Sequence, residues 1–255
     1  MFSISPMNEL MFYNLKQISG LTGSLASQVS RELGRRIVAG VYQENDLVED
    51  ENTLSNRYQV SRSVVRDAVK ILVGKGLLEV RRGIGTRVKP RIEWVLLDDD
   101  VLAWHQSGPF RLDFFNKLME IRLIIEPNAA RWASERGSDE KIMQIELAQK
   151  KMEDEKGSIE DFIIADAQFH QSIIRAANNE ILESMEGVIF SALLNSIRIT
   201  NKDPRDNSDS IPFHSEVTHA IVNRNPGLAE ENMKKLLRDA ENRLHKESTN
   251  TLNNR

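Results

Sequence analysis

The run VSRSVVRDAVKILVGKGLLEVRRGIGTRV, residues 60–88, changes period in its middle, and that change restricts the fold more than any other feature of the chain. Val65, Ala68, Val69 and Leu72 recur at the spacing of one helical stripe, and Ser61 stands where an N-cap belongs. GKG closes that helix. LLEVRRGIGTRV then sets apolar and β-branched residues on both sides of RRGIG, the pattern of a two-stranded hairpin with a glycine at its tip. Two helices are expected before it. SLASQVSRELGRRIVAG carries a stripe of Leu25, Val29, Leu33, Ile37 and Val38 that ends at Gly40, and ENTLSNRYQV turns Leu54 and Tyr58 inward. Three helices and a hairpin, with a short turn between the second and third helices, describe a winged helix-turn-helix.

That architecture gives the charges a purpose. Arg62, Ser63, Arg66 and Lys70 lie off the buried stripe of the third helix, and Arg81 and Arg82 flank the wing tip. The chain as a whole has a net charge of −4, but residues 21–93 sum to +4 and residues from Trp94 onward to −8. A basic first third joined to an acidic remainder points to two domains, of which one meets a polyanion. A helix fits the major groove of duplex DNA, arginine pairs with guanine edges, serine and lysine hold phosphates, and a tip glycine lets backbone come close. For any one of these cations a solvated helix face is the simpler account; the whole set in this order points to DNA.

The segment LSNRYQVSRSVVRDAVKILVGKGLLEVRRGIGTRV resembles the DNA-binding domain of GntR-type bacterial transcription regulators. The resemblance covers about residues 25–90. It implies recognition-helix contacts from Ser61, Arg62, Ser63 and Arg66, and a wing contact from Arg82 and Gly83. The family's L-P-S-E-R is VEDEN here: Glu51 matches the family glutamate, Glu49 replaces the proline, and Asn52 stands where a DNA-contacting arginine is usual.

Beyond KPRIEWVLLDDDVLAW every sizeable segment reads as helix. Six amphipathic segments without a strand pattern predict an antiparallel bundle, with Pro127 bending the first of them and Ser158 and Asp161 forming a capping box at the third. Some polar residues sit among apolar neighbours. Arg122 lies in MEIRLIIEP, Asp166 and His170 share one helix face at i and i+4, and His214 opens a later helix. An isolated pair of this spacing is ordinarily a helix-surface contact. With a distant histidine it also suits a divalent metal, and an arginine beside it suits a carboxylate.

EIRLIIEPNAARWASER, ADAQFHQSIIRAANNEIL and HSEVTHAIVNRN resemble the ligand-binding bundle (FCD domain) of the FadR-like subfamily. The resemblance implies a small organic acid as effector, beside a metal such as zinc or nickel held by Asp166, His170 and His214. The family's last histidine is Leu236 in this chain, and His219, five residues after His214, is turned about 140° away around a helix. EWVLLDDDVLAW and EPNAARWA are similar to members that regulate sugar-acid catabolism, such as galactonate repressors. That implies an aldonate or uronate, with Arg122 on its carboxylate and Asp166, His170, His214, Asn195 and Arg198 near its hydroxyls.

The expected organisation is an arm over residues 1–20, the winged helix-turn-helix over 21–90, a linker over 91–106 and an all-helical effector and dimerisation domain over 107–248. The fold class is mainly α. The function expected is transcription regulation, as a repressor and homodimer on double-stranded operator DNA, with rival readings as a metal-dependent enzyme of the bundle or a DNA-binding dimer without a ligand. Two half-sites raise specificity beyond what one winged helix supplies. The chain has no cysteine and no G-x-S-x-G, so cysteine and serine-elbow nucleophiles are excluded. Neither a signal peptide nor a membrane span is expected, and a cytoplasmic protein is the expectation.

Overall fold

A computed structural model describes residues 6–16, 23–108, 111–154, 159–200 and 210–253. They fall into two compact units, Met1–Phe110 and Arg111–Arg255.

The first unit holds α1 (Pro6–Leu15), α2 (Leu25–Val38), α3 (Glu51–Tyr58), α4 (Arg62–Gly74), β1 (Leu78–Arg81), β2 (Gly85–Val88), a single 3₁₀ turn at Arg91–Glu93, and α5 (Asp99–Ser107). Side chains start the central helices. Ser24 accepts from the Ser27 amide, Asp50 from those of Asn52 and Thr53, and Ser61 from that of Val64. The turn between α3 and α4 passes through Gln59 in the left-handed region (φ +53°). Gly76, the second glycine of GKG, has φ +74°, and a Cβ there would collide with the Glu93 carbonyl. The wing pairs Leu78 with Val88 and Arg81 with Gly85. Leu33, Ile37, Leu54, Val65, Leu72, Leu77, Leu78 and Val88 form its core, as the stripes predict.

Two segments differ from expectation. Residues 1–20 show no period in sequence, yet Pro6–Leu15 is a helix packed along α5, with Phe12 fully buried. Its buried face mixes Met11, Phe12 and Tyr13 with Glu9, whose carboxylate accepts from Arg35 at 2.6 Å and from the Ser107 hydroxyl. A helix that buries a paired carboxylate shows no clean apolar stripe. Residues 91–106, expected as a linker, are built into the first unit's core through Trp94, Val101 and Trp104. The Trp104 ring lies against Gly34 in the middle of α2, where any Cβ would strike it. Glycine inside a helix costs about 1 kcal/mol relative to alanine, and this close packing explains its presence.

The second unit contains α6 (Leu112–Arg136), α7 (Asp139–Asp154), α8 (Ile159–Ala176), a short α9 (Glu180–Glu183), α10 (Glu186–Thr200), α11 (Ile211–Val222) and α12 (Pro226–Asn253). Among the described residues it has no strand. The six long helices match the six segments read as helix, and α6, which packs against α8, α10, α11 and α12, is the centre of the bundle. Helix α6 runs continuously through Pro127. The capping box at Ser158 lies outside the described residues.

Candidate functional site

Two sites emerge, one in each unit. In the first, Ser61, Arg62, Ser63, Arg66 and Lys70 are all exposed on α4, opposite the buried Val65, Ala68, Val69 and Leu72. Ser61 and Ser63 are hydrogen-bonded through their hydroxyls at 2.8 Å. Arg66 donates from Nε to both oxygens of Glu51, at 2.9 and 2.8 Å. That pairing, chiefly its hydrogen bond, holds the Glu51 carboxyl below its usual value. Lys70 pairs with Asp67 and Arg81 with Glu79, each at 2.9 Å. Arg82 and Gly83 are exposed at the wing tip, where Gly83 has φ +78° and open space around it.

The departure from L-P-S-E-R has a structural counterpart. Glu49, in the proline's place, accepts from Tyr42 at 2.5 Å and pairs with Arg57 at 2.5 Å. Asn52 is exposed in the first turn of α3, and its backbone N–H is held by the Asp50 cap. It presents a short amide where the family presents a guanidinium.

The second site is a polar cluster inside the bundle, buried but for Asp166, whose side chain is 18% exposed. Helix α6 supplies Arg122 and Glu126 one turn apart, α8 supplies Asp166 and His170 one turn apart, and α11 supplies His214. Arg122, Glu126, His170 and His214 are each no more than 4% exposed. Arg122 donates from Nε to Glu126 Oε1, and Nδ1 of His170 is paired with Glu126 Oε2. On the far side of the ring, His170 Nε2 lies 3.4 Å from Asp166 Oδ1 and 3.5 Å from Arg122 Nη2. His214 Nε2 lies 3.1 Å from the same Asp166 oxygen. Its Nδ1 sits 2.8 Å from the Ser210 carbonyl, which can only accept, so Nδ1 carries the hydrogen of that contact. The Phe169 ring packs edge-on against both imidazoles.

The electrostatics follow from burial and pairing. Burial alone would raise the Glu126 carboxyl, but the Arg122 charge and His170 override it and bring it down to about 2. Burial likewise opposes ionisation of Asp166, and the hydrogen bonds from His170 and His214 hold it well below the usual carboxylate range. For His170, burial works to lower the value, yet Glu126 and Asp166 push it up to about 9.

The structure therefore brings together four residues singled out in the sequence: Arg122, Asp166, His170 and His214. One ligand atom from each of Asp166, His170 and His214 falls within 4.8 Å of the others, a carboxylate oxygen and two imidazole nitrogens. Leu236 is buried and offers no donor. His219 is exposed and lines an open groove of about 540 Å³ with Ser215, Asn232 and Lys235. Asn195 is buried on α10 with its amide donating to the Ser191 carbonyl at 2.8 Å, and the Arg198 side chain lies outside the described residues. Sequence reasoning passed over Glu126. Its signal was its place four residues after Arg122 in an otherwise apolar stretch, the same spacing that drew notice to Asp166 and His170.

Two family models match the chain, "Bacterial regulatory proteins, gntR family" over residues 25–88 and "FCD domain" over residues 117–239. The chain is 29% identical over 201 residues to the galactonate operon transcriptional repressor of Escherichia coli (strain K12), covering 78% of this chain and 87% of that protein. It is 30% identical over 164 residues to the Exu regulon transcriptional regulator of the same strain, covering 63% of this chain and 60% of the relative. The solved structure of Lar, which controls expression of the Listeria monocytogenes agr system, shares the fold with a TM-score of 0.62 at 17% identity, over 88% of this chain and 98% of that one. The family and these relatives are transcription regulators and not enzymes, which removes the reading of the bundle as a metal-dependent enzyme. A winged helix-turn-helix followed by an FCD bundle, each matched in its place, makes this chain a DNA-binding transcription regulator of the GntR family.

Proposed function

We propose that the protein is a repressor whose hold on its operator is set by a small sugar acid, an aldonate or uronate, bound in the bundle. The observation that carries this reading is the buried cluster of Arg122, Asp166, His170 and His214. A helical bundle needs only apolar packing to hold together, and burying charged groups is expensive unless they are paired. Perturbed ionisable groups gathered at one internal point mark a ligand site. The galactonate operon repressor among its relatives supports an aldonate as the class of ligand.

In this reading Arg122 takes the acid's carboxylate through its terminal nitrogens, since its Nε is held by Glu126. Asp166, His170 and His214 face the hydroxyl-bearing end, with Asn195 assigned to the same end. The donor set of one carboxylate oxygen and two imidazole Nε2 atoms also fits a divalent cation of the zinc or nickel kind. Asp166, His170 and His214 would hold it, and it would supply an electrophilic centre for the acid's oxygens.

The head binds duplex operator DNA. We assign major-groove base contacts to Arg62 and Arg66, phosphate contacts to Ser61 and Ser63, and the wing contact to Arg82 and Gly83. Asn52 makes a shorter-reaching contact than the family's arginine. The head is the winged helix-turn-helix together with α1 and α5, and the effector and dimerisation domain is the second unit. A homodimer working in the cytoplasm places two heads on two half-sites. Effector binding changes operator affinity by favouring one arrangement of the paired heads. No helix among the described residues is long and apolar enough to cross a membrane.

A thermal-shift screen of the full chain against aldonates, uronates and small dicarboxylates, with and without EDTA, tests this. A ligand that binds only the native state raises the melting temperature. A shift with galactonate that EDTA abolishes would support the cation as well as the acid. No shift with any acid in either condition would sink the effector reading and leave a DNA-binding dimer without a ligand.

A further inference from the structure

Glu126 is 1% exposed and sits between the two groups that the proposed function assigns to ligand binding. Its two oxygens have different partners. Oε1 accepts from Arg122 Nε, and Oε2 is paired with His170 Nδ1. Each contact fixes a side chain by its rear edge and leaves the front edge facing the cluster. For Arg122 the front edge is the Nη1 and Nη2 pair, with Met119 Sδ 3.9 Å from Nη1 and His170 Nε2 3.5 Å from Nη2. For His170 the front edge is Nε2, turned toward Asp166 and the ring of His214. A carboxylate ion-paired with Nδ1 favours keeping the hydrogen there, so Nε2 is the nitrogen that gives up its proton to a cation.

We infer that Glu126 is the positioning residue of this site, a single bridging carboxylate that aims both the guanidinium fork of Arg122 and the Nε2 of His170 at one point. The inference rests on the reading of this cluster as a ligand site and goes beyond it by naming the group that assembles it. Only a carboxylate can do this. Both partners present N–H groups, so the bridging residue must accept on both of its atoms. Glutamine accepts on one and donates from the other. In Glu126→Gln the amide oxygen goes to Arg122, which has no acceptor to offer, and the amide NH₂ faces His170 Nδ1. The ring then carries its hydrogen on Nε2, and the lone pair leaves the site.

The formal charges agree with this assignment. Arg122 is matched by Glu126, and Asp166 leaves the cluster one negative charge in excess. The site as built thus has no surplus positive charge, which suits a cation partner at the Asp166 end.

The test uses the full chain and zinc ions as the probe. Wild type and Glu126→Gln are stripped with EDTA and titrated with zinc against a chromophoric chelator. The imidazole nitrogens of both proteins are then followed by ¹⁵N NMR. In wild type, His170 is expected to show a protonated Nδ1. In Glu126→Gln the proton moves to Nε2, and zinc affinity falls about 10- to 100-fold, as for a lost orienting partner. Glu126→Gln with Nδ1 still protonated, or with zinc affinity unchanged where wild type binds zinc, would overturn the inference.

If Glu126→Gln does not fold, wild type decides alone, because an unprotonated Nδ1 on His170 is incompatible with the bridge. The spectra are recorded on metal-free protein well above pH 9, where the ring is neutral and keeps one hydrogen, so the tautomer is read whether or not zinc binds. A wild type that ignores zinc while keeping the Nδ1 proton removes the cation from the proposed function and leaves Glu126 as the bridge to Arg122.

Discussion

The protein contains two glutamate–arginine pairs that play opposite parts. Glu51 and Arg66 meet on the exposed face of α4 with side chains 43% and 60% exposed, whereas Arg122 and Glu126 meet inside the bundle at 3% and 1%. Water screens the first pair and leaves it exchangeable, so a phosphate or a guanine edge can replace Glu51 on Arg66 at small cost. The second pair is buried, so a lost partner leaves its mate away from bulk solvent. Exposure, and not the identity of the residues, decides which pair is a contact in waiting and which is architecture.

The largest expected effect follows from removing one member of the buried pair. Arg122→Ala leaves Glu126 buried without its main partner and should lower stability by about 3–5 kcal/mol, read by urea denaturation. A loss below about 1 kcal/mol would mean that water reaches the cluster freely and would erase the contrast.

Next in size is a pH effect confined to the buried cluster. His170 is raised to about 9 from an ordinary 6.5, so its contribution in EDTA is full below pH 6.5 and is lost as pH rises through about 9. Glu51 is shifted downward, so its contribution is constant across that window. The urea midpoint of wild type should fall between pH 6.5 and 9, and that of His170→Gln should change less. Parallel curves for the two proteins would remove His170 as the titrating group.

Arg66→Ala should weaken operator binding roughly ten- to hundredfold if Arg66 reads a base, with the melting temperature nearly unchanged. Unaltered affinity by fluorescence anisotropy would take Arg66 out of the base contacts. The smallest effect belongs to Glu51→Gln, expected to change stability by about 1 kcal/mol or less. A larger loss would show that the exposed pair is structural after all.

The sequence made the first unit's core and the bundle's six long helices legible because both rest on apolar periodicity, which survives in one dimension. Ser61 as a cap, Gly76 as a stop and the wing were legible for the same reason, since local conformation imposes them. Three things were not. Helix α1 hides its period because Glu9 is buried among its apolar residues. Trp94, Val101 and Trp104 looked like linker because their partners lie far back in the chain. Glu126 looked like any charged residue four after an arginine, and only the arrival of His170 from α8 on its second oxygen sets it apart. Arg122, Asp166, His170 and His214 were gathered into one site only through the family resemblance, because periodicity says nothing of contacts between α6, α8 and α11.

The packing of Trp104 on Gly34 has a practical consequence for anyone recombining regulators of this kind. A head cut where the wing ends, at Val88, would leave bare the patch of α2 that the indole covers. A portable head must carry α5 with it and be severed after Ser107. Exchanges made at the earlier point should give sticky, poorly folded chimeras for reasons unrelated to DNA or effector. The seam between two functions in this protein does not lie where the DNA-binding motif stops.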